Sequence, residues 1–174
     1  MSGPTRVAVY FEGASEGSAN DGNGNGRDEV RTEMLELNLM GVSPTLGPVH
    51  IRLNPNLPSL GEIEETANNT AGVLDLPPFT PTGTAESYFN LFFQVEAGGQ
   101  TFYTVVPKRM SSVITHKPPG PTDYYQNVEK IPLLDANGNP TGYYLGPGQH
   151  QPQPPVEVDV FEYSIGALVL GRPD

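Results

Sequence analysis

The chain has no cysteine and few basic residues, and both shortages exclude classes of function. Without cysteine there can be no disulfide, no thiolate catalysis and no cysteine-ligated zinc or iron–sulfur centre. The 9 Lys and Arg residues stand against 20 Asp and Glu, which gives a net charge of −11 over 174 residues. Nucleic acids and anionic membranes are bound through clustered basic residues, so neither is an expected partner. A cation or a basic partner suits this charge better.

Long apolar runs and helix signals are also scarce. No apolar segment approaches the roughly 18 residues of a membrane-spanning helix, so we expect no membrane insertion. The start at Met1–Pro4 lacks the charged and apolar regions of a signal peptide. A single capping-box pattern, Ser59-Leu60-Gly61-Glu62, favours a helix, so we expect at most one short helix, near 59–66.

Glycine and proline are abundant instead, and they separate short segments of alternating polarity. With 20 Gly and 19 Pro, this pattern indicates many strands joined by turns. The clearest prediction is a hairpin of strands 87–97 and 101–106 across Gly98-Gly99. We expect a single all-β domain over 1–174, an antiparallel β-sandwich of jelly-roll or Ig-like topology with about nine or ten strands. The proline-rich stretch 147–155 is predicted to be an extended connector before a last strand at 156–170.

A long acidic loop at 12–29 carries the strongest candidate site. Asp21, Asn23 and Asn25 occupy the first, third and fifth positions of a calcium-loop pattern, and Gly26 follows at the turn. We therefore predict Ca²⁺ as a cofactor, with Asp21, Asn23, Asn25 and Asp28 as its ligands. Thr32 stands where the pattern has a bidentate Glu, and a strand follows in place of a helix. A flexible turn rich in Asn and Gly is the alternative.

Five tyrosines near predicted turns are candidate contacts for a ligand or partner, because exposed aromatic rings stack on sugars and anchor protein interfaces. They are Tyr103, Tyr124, Tyr125, Tyr143 and Tyr144. Ordinary packing at the rim of the sheets is the alternative. The segment 135–139 repeats the Asp-x-Asn spacing, but its Asn-Gly pair is typical of a hairpin turn.

No pattern combines a catalytic group with its partner, so we do not expect an enzyme. The histidines, His50, His116 and His150, lie far apart in the sequence. Glu62, Glu64 and Glu65 could supply a carboxylate pair for glycoside hydrolysis, but acidic residues are also favoured at the start of a helix.

The Asp/Asn-Gly loop, the hairpin from Glu86 to Thr104 and the turn at 135–140 together carry a resemblance. They resemble the β-sandwich modules of large bacterial secreted and surface proteins, which often contain calcium-type loops. The resemblance implies a non-catalytic structural or adhesive module that calcium stabilises.

Our leading prediction is a structural or adhesive module of an extracellular or cell-surface assembly. We expect filament-type self-assembly through the strands near Arg6–Phe11 and Val156–Leu170, since terminal strands can extend a neighbour's sheet. The expected partners are copies of the chain itself or another surface protein. The alternatives are a virion decoration or structural protein, and a carbohydrate-binding module that takes a glycan.

Overall fold

The computed structural model describes residues 1–152, 160–162 and 168–170 of the chain. These ranges contain fourteen strands and no helix, and therefore no helix long and apolar enough to cross a membrane. The strands are β1 Thr5–Tyr10, β2 Glu29–Ser43, β3 Gly47–Leu53, β4 Ser59–Glu65, β5 Ala85–Leu91, β6 Phe93–Ala97, β7 Gln100–Tyr103, β8 Lys108–Ile114, β9 Tyr125–Asn127, β10 Ile131–Leu134, β11 Pro140–Leu145, β12 Gly148–His150, β13 Val160–Glu162 and β14 Leu168–Leu170.

The first twelve strands form one antiparallel sheet, in the order β11-β10-β7-β6-β3-β2-β4-β5-β8-β9-β12, with β1 paired to β2. The 15-residue strand β2 runs through the whole sheet and pairs with β4 along its first part and with β3 along its second. The front half of the sheet consists of β1, β4, β5, β8, β9 and β12. The rear half consists of β3, β6, β7, β10 and β11. A separate two-stranded sheet pairs β13 with β14.

Each long strand after β2 bends once as it passes from one half to the other. The bends lie at 54–58, Phe92, 104–107, 128–130 and 146–147. Since all five interrupt neighbouring strands, the sheet folds over along one line and its two halves face each other.

Buried polar side chains replace the interrupted ladder at these bends. The Asn54 amide donates to the carbonyl oxygen of Thr104 at 3.1 Å, and the Thr104 hydroxyl accepts the Phe93 N–H at 2.8 Å. The Ser59 hydroxyl accepts the Phe92 N–H at 3.0 Å. Backbone groups that leave the ladder therefore keep partners, as buried polar groups require.

The all-β antiparallel class is confirmed, but the finer prediction is corrected. The chain has more strands than the nine or ten predicted, because single bends divide long strands in two. Among the first twelve strands, every connection either joins two paired strands or is one of the five bends. The crossing connections of a jelly-roll or Ig-like topology are therefore absent there. The predicted connector 147–155 contains β12, and its residues 153–155 lie outside the described ranges, as does most of the predicted last strand at 156–170.

The short helix allowed for near 59–66 does not form, because this segment is strand β4, which pairs with β2 on one side and β5 on the other. Ser59 bonds to the bend at Phe92 instead of capping a helix. A Cβ at Gly61 would collide with the carbonyl oxygen of Tyr88, so glycine allows β4 and β5 to approach closely. Pairing on both edges thus overrides the local helix signal.

Candidate functional site

A cavity of about 360 Å³ lies between the two halves of the sheet. Most of its wall is aliphatic or aromatic and comes from inward-facing positions of both halves. The apolar lining residues are Met1, Val7, Val9, Met34, Leu37, Leu39, Ile51, Ile63, Phe89, Leu91, Phe93, Met110, Pro119, Leu145, Pro147 and Pro152. Residues of the first strand and of the segment 145–152 both line it, so the opposite edges of the sheet border one space.

The buried ammonium group of Lys108 connects three segments of the cavity wall through hydrogen bonds. Lys108 is only 3% exposed, and its Nζ donates to Asn127 Oδ1 at 2.8 Å, to the Glu129 carbonyl at 3.0 Å and to the Gly146 carbonyl at 2.8 Å. Burial lowers the pKa of Lys108, while the charge of Glu129 opposes this shift. All three N–H groups are used, so the side chain fixes the bends of three neighbouring strands.

A second polar part of the wall comes from β5, β9 and β12. The Tyr125 hydroxyl donates to Ser87 Oγ at 2.7 Å, and the Tyr125 ring lies 5.9 Å from that of Phe89. His150 stands directly opposite Tyr125 in the pairing of β9 with β12. Burial lowers the pKa of His150, so its imidazole is neutral at physiological pH.

The structure brings together three of the four predicted calcium ligands. The Asp21 carboxylate accepts the N–H groups of Asn25 at 2.9 Å and Gly26 at 2.8 Å. The side-chain amides of Asn23 and Asn25 donate to Glu64 Oε1 at 2.9 and 2.5 Å. Arg27 forms an ion pair with the same carboxylate, with Nη2 at 2.6 Å from Glu64 Oε2. These contacts hold the loop against the outer face of β4.

Asp28 lies apart from these three residues. It is buried, its Oδ2 accepts the Gly72 N–H at 2.6 Å, and its own N–H donates to Glu65 Oε1 at 2.9 Å. Because Glu64 and Glu65 alternate along a strand, they point to opposite faces of β4. Asp28 therefore belongs to a different set of contacts from Asn23 and Asn25.

Carboxylates on the outer face raise one another's pKa. For Glu29 the causes are burial and then the charges of Glu62 and Glu64; for Glu62 they are burial and the charge of Glu64. Arg109 lies 3.6 Å above the centre of the Tyr88 ring, and its charge opposes the shift of Glu62. Within the described residues, no group of three or more His, Asp or Glu side chains is arranged to hold a metal ion.

The five predicted tyrosines do not form one surface. Tyr125 is buried in the cavity wall, whereas Tyr124 is exposed beside it. The Tyr143 ring packs edge-on against Phe102 at 5.5 Å, and Lys130 Nζ lies 4.2 Å from the centre of the Tyr144 ring. Tyr103 pairs with Leu134 between β7 and β10. Only Tyr125 thus takes part in the cavity.

The histidines are not gathered into a site. His50 contacts Asn38, Arg52 and Glu96 in the rear half. His116 is exposed after β8, and His150 lies at the cavity. The predicted group of Glu62, Glu64 and Glu65 is divided between two faces of β4.

Sequence reasoning missed Lys108 and His150 as cavity residues. A signal for Lys108 was available, because it alternates with Met110 and Ile114, which are buried. His150 was hidden in a proline-rich stretch that carries no alternation.

No protein-family model and no curated protein matches this chain. Among solved structures, it is similar to DynF from the dynemicin biosynthesis pathway of Micromonospora chersina, with a TM-score of 0.56 and 22% sequence identity. The similar part covers 70% of this chain and 57% of that chain, which is less than two thirds of its length. At this identity the likeness concerns the fold alone.

Proposed function

We propose that this protein binds a small, largely apolar molecule in the cavity between the two halves of the sheet. The observation that carries this proposal is the cavity itself, about 360 Å³ with a mostly apolar wall. Ligand pockets span roughly 300–1,000 Å³ and combine apolar walls with a few polar groups. The cavity is open to solvent along the exposed segment 146–149, so a ligand can enter it without unfolding of the sheet. Its size and its apolar wall are those of a small-molecule site.

The construction of the wall supports the same proposal. The bends bring both halves of the sheet around one space, and Lys108 holds the segment at Gly146 against this space. An unfilled apolar cavity leaves its lining without dispersion contacts on one side. A ligand that fills the cavity should therefore bind favourably and stabilise the fold by mass action.

Filling the cavity from within should abolish binding. Val7 lines the cavity from β1, and Val7→Phe would place a ring in the space that the ligand needs. We expect the affinity for the neutral fluorescent dye N-phenylnaphthylamine to fall by about tenfold or more, since one steric conflict readily costs about 1.4 kcal/mol. Titration of the dye into the purified protein measures this.

The matched control is Val113→Phe, which makes the same change at a 57% exposed position of β8. This variant should bind the dye like the unmodified protein. Equal affinities of the two variants, both folded by circular dichroism, would place the dye outside the cavity and contradict the proposal.

The earlier functional predictions remain untested. They are the structural or adhesive module of an extracellular or cell-surface assembly, the virion protein and the carbohydrate-binding module. We rank the cavity function above them because it starts from one defined site, whereas the five tyrosines proposed for glycan or protein contacts are scattered.

Calcium binding by loop 21–29 is our second proposal, favoured by the convergence of Asn23 and Asn25 on Glu64. A half-turn of both amides would place two more oxygens beside that carboxylate, and oxygens are the ligands that Ca²⁺ takes. We expect millimolar Ca²⁺ to raise the melting temperature by roughly 2–4 °C, which corresponds to about 1 kcal/mol in a chain of this size.

The rise should vanish in Asp21→Ala and persist in Asp135→Ala, which removes the aspartate of the similar turn at 135–139. The Asp135 carboxylate also accepts backbone N–H groups, from Asn137 and Asn139 at 2.8 Å each. An unmodified protein that melts at the same temperature with and without Ca²⁺ would refute calcium binding.

A further inference from the structure

Three polar side chains of the cavity wall, those of Thr5, Gln149 and His150, make no hydrogen bond within the described part of the chain. Gln149 is exposed, whereas Thr5 and His150 are half-buried. His150 lines the cavity and stands opposite Tyr125, whose hydroxyl is already bonded to Ser87. Within the part of the chain that the structure describes, the His150 imidazole makes no hydrogen bond, and burial is the sole cause of its lowered pKa. The His150 side chain is half-buried and lines the cavity, so a ligand in the cavity can supply the hydrogen-bond partner that the described part of the chain does not.

The chemistry of this imidazole limits what it can bind. A neutral imidazole offers one N–H donor and one nitrogen acceptor, so it suits a hydroxyl or a carbonyl group. A carboxylate would need a cationic donor to offset its loss of hydration. The Lys108 ammonium has no N–H left to give, and Lys117, the other buried lysine of the wall, is also engaged in an interaction.

The net charge of −11 acts in the same direction, because it repels an anion approaching the protein. The rest of the wall is mostly apolar, and its other polar side chains without a hydrogen bond are those of Thr5 and the exposed Gln149. A ligand that suits this wall is therefore mostly apolar and carries a neutral polar group toward His150.

We infer that the ligand is an uncharged amphiphile whose single hydroxyl or carbonyl group hydrogen-bonds to His150, while its apolar body fills the space between the halves of the sheet. This inference rests on the proposed function and names the class of molecule that the same cavity takes. His150 is then the residue that sets ligand orientation and specificity.

Displacement of bound N-phenylnaphthylamine by octane, octanol and octanoate tests this inference in the chain of 174 residues. In the unmodified protein, octanol should bind more tightly than octanoate. His150→Leu should weaken octanol binding by about tenfold, the value of one good hydrogen bond, and leave octane binding unchanged. His150→Gln, which keeps a donor and an acceptor, should restore much of the loss. His116→Leu, at the exposed histidine after β8, should change nothing.

The outcomes separate this inference from the function on which it rests. If octane and the dye bind but octanol affinity is the same in His150→Leu, the cavity function holds and the role of His150 is refuted. If octanoate binds most tightly, the ligand class is wrong. If neither the dye nor any of the three compounds binds, the proposed function and the inference both fall.

Discussion

Replacing Lys108 with methionine is expected to lower the unfolding free energy by about 3–5 kcal/mol, because three acceptors lose their donor at about 1–3 kcal/mol each. The cost of burying the ammonium disappears as well and offsets part of this loss. Methionine keeps the length and the apolar stem of the side chain, so the change removes the ammonium group alone. The carbonyl oxygens of Glu129 and Gly146 then lose their donor. An unsatisfied buried acceptor costs about 1–3 kcal/mol, which makes the expected total reasonable.

The position of Lys108 explains why the effect should be large. It is the first residue of β8, immediately after the bend at 104–107, and its three acceptors lie at or beside the next two bends. Losing it should loosen the segment 145–152 at the cavity. We therefore also expect weaker binding of N-phenylnaphthylamine by the folded variant.

Lys130→Met is the matched control. Lys130 is exposed and lies over the Tyr144 ring, a contact worth about 0.5–1 kcal/mol at such a site. Urea-induced unfolding gives the loss of unfolding free energy in each variant. Both variants remove one positive charge, so the comparison separates the effect of a buried ammonium from that of an exposed one. Similar small losses in both would show that Lys108 does not hold the bends together.

The sequence predicts the strands well where polarity alternates, and it fails where the chain bends. The hairpin on either side of Gly98-Gly99 is confirmed, since β6 and β7 pair across this turn. The bend at Phe92 interrupts the first of the predicted strands without interrupting its alternation. Long-range hydrogen bonds cause the bend at Phe92. The Ser59 hydroxyl accepts the Phe92 N–H, and the Asn54 N–H donates to the Phe92 carbonyl oxygen at 2.8 Å. Local patterns cannot reveal such partners.

The cavity could not be predicted from the sequence for a related reason. Its wall consists of ordinary inward-facing strand residues, such as Val9, Ile63 and Leu91, which would look the same in a filled core. A cavity is set by the distance between the two halves, and this depends on the bends. The calcium-type loop shows the reverse case, because its pattern is local and was visible, but Glu64, against which it packs, is remote in sequence.

Replacing Glu65 with alanine is the second change with a large expected effect. Glu65 is completely buried, and its two carboxylate oxygens accept the N–H groups of Asp28 at 2.9 Å and Asp75 at 2.8 Å. It thus joins the start of β2 to the loop at 66–84. Two buried N–H groups would lose their acceptor at about 1–3 kcal/mol each, so we expect a loss of about 2–6 kcal/mol. Glu36→Ala, on an exposed part of β2, should stay within about 0.5 kcal/mol.

Glu65 should also contribute to the dependence of stability on pH. Burial raises the pKa of Glu65, the charges of Asp28 and Asp75 raise it further, and the two backbone hydrogen bonds only partly oppose this. A folded-state pKa above the unfolded value of 4.5 means that the folded protein binds this proton more tightly. The resulting stabilisation is complete below pH 4.5 and is lost as the pH rises through the raised pKa.

Glu65→Gln isolates this contribution, because an amide resembles the protonated acid and does not titrate. Relative to the unmodified protein, the variant should become more stable as the pH rises above 4.5. Glu29 and Glu62 have raised pKa values too, and the lowered pKa of His150 acts in the opposite direction below 6.5. These groups are present in both proteins, so they cancel in the difference. Urea unfolding of the unmodified protein and of Glu65→Gln at pH values above and below 4.5 measures the difference between their unfolding free energies. If this difference does not depend on pH, Glu65 is ionised equally in the folded and unfolded states.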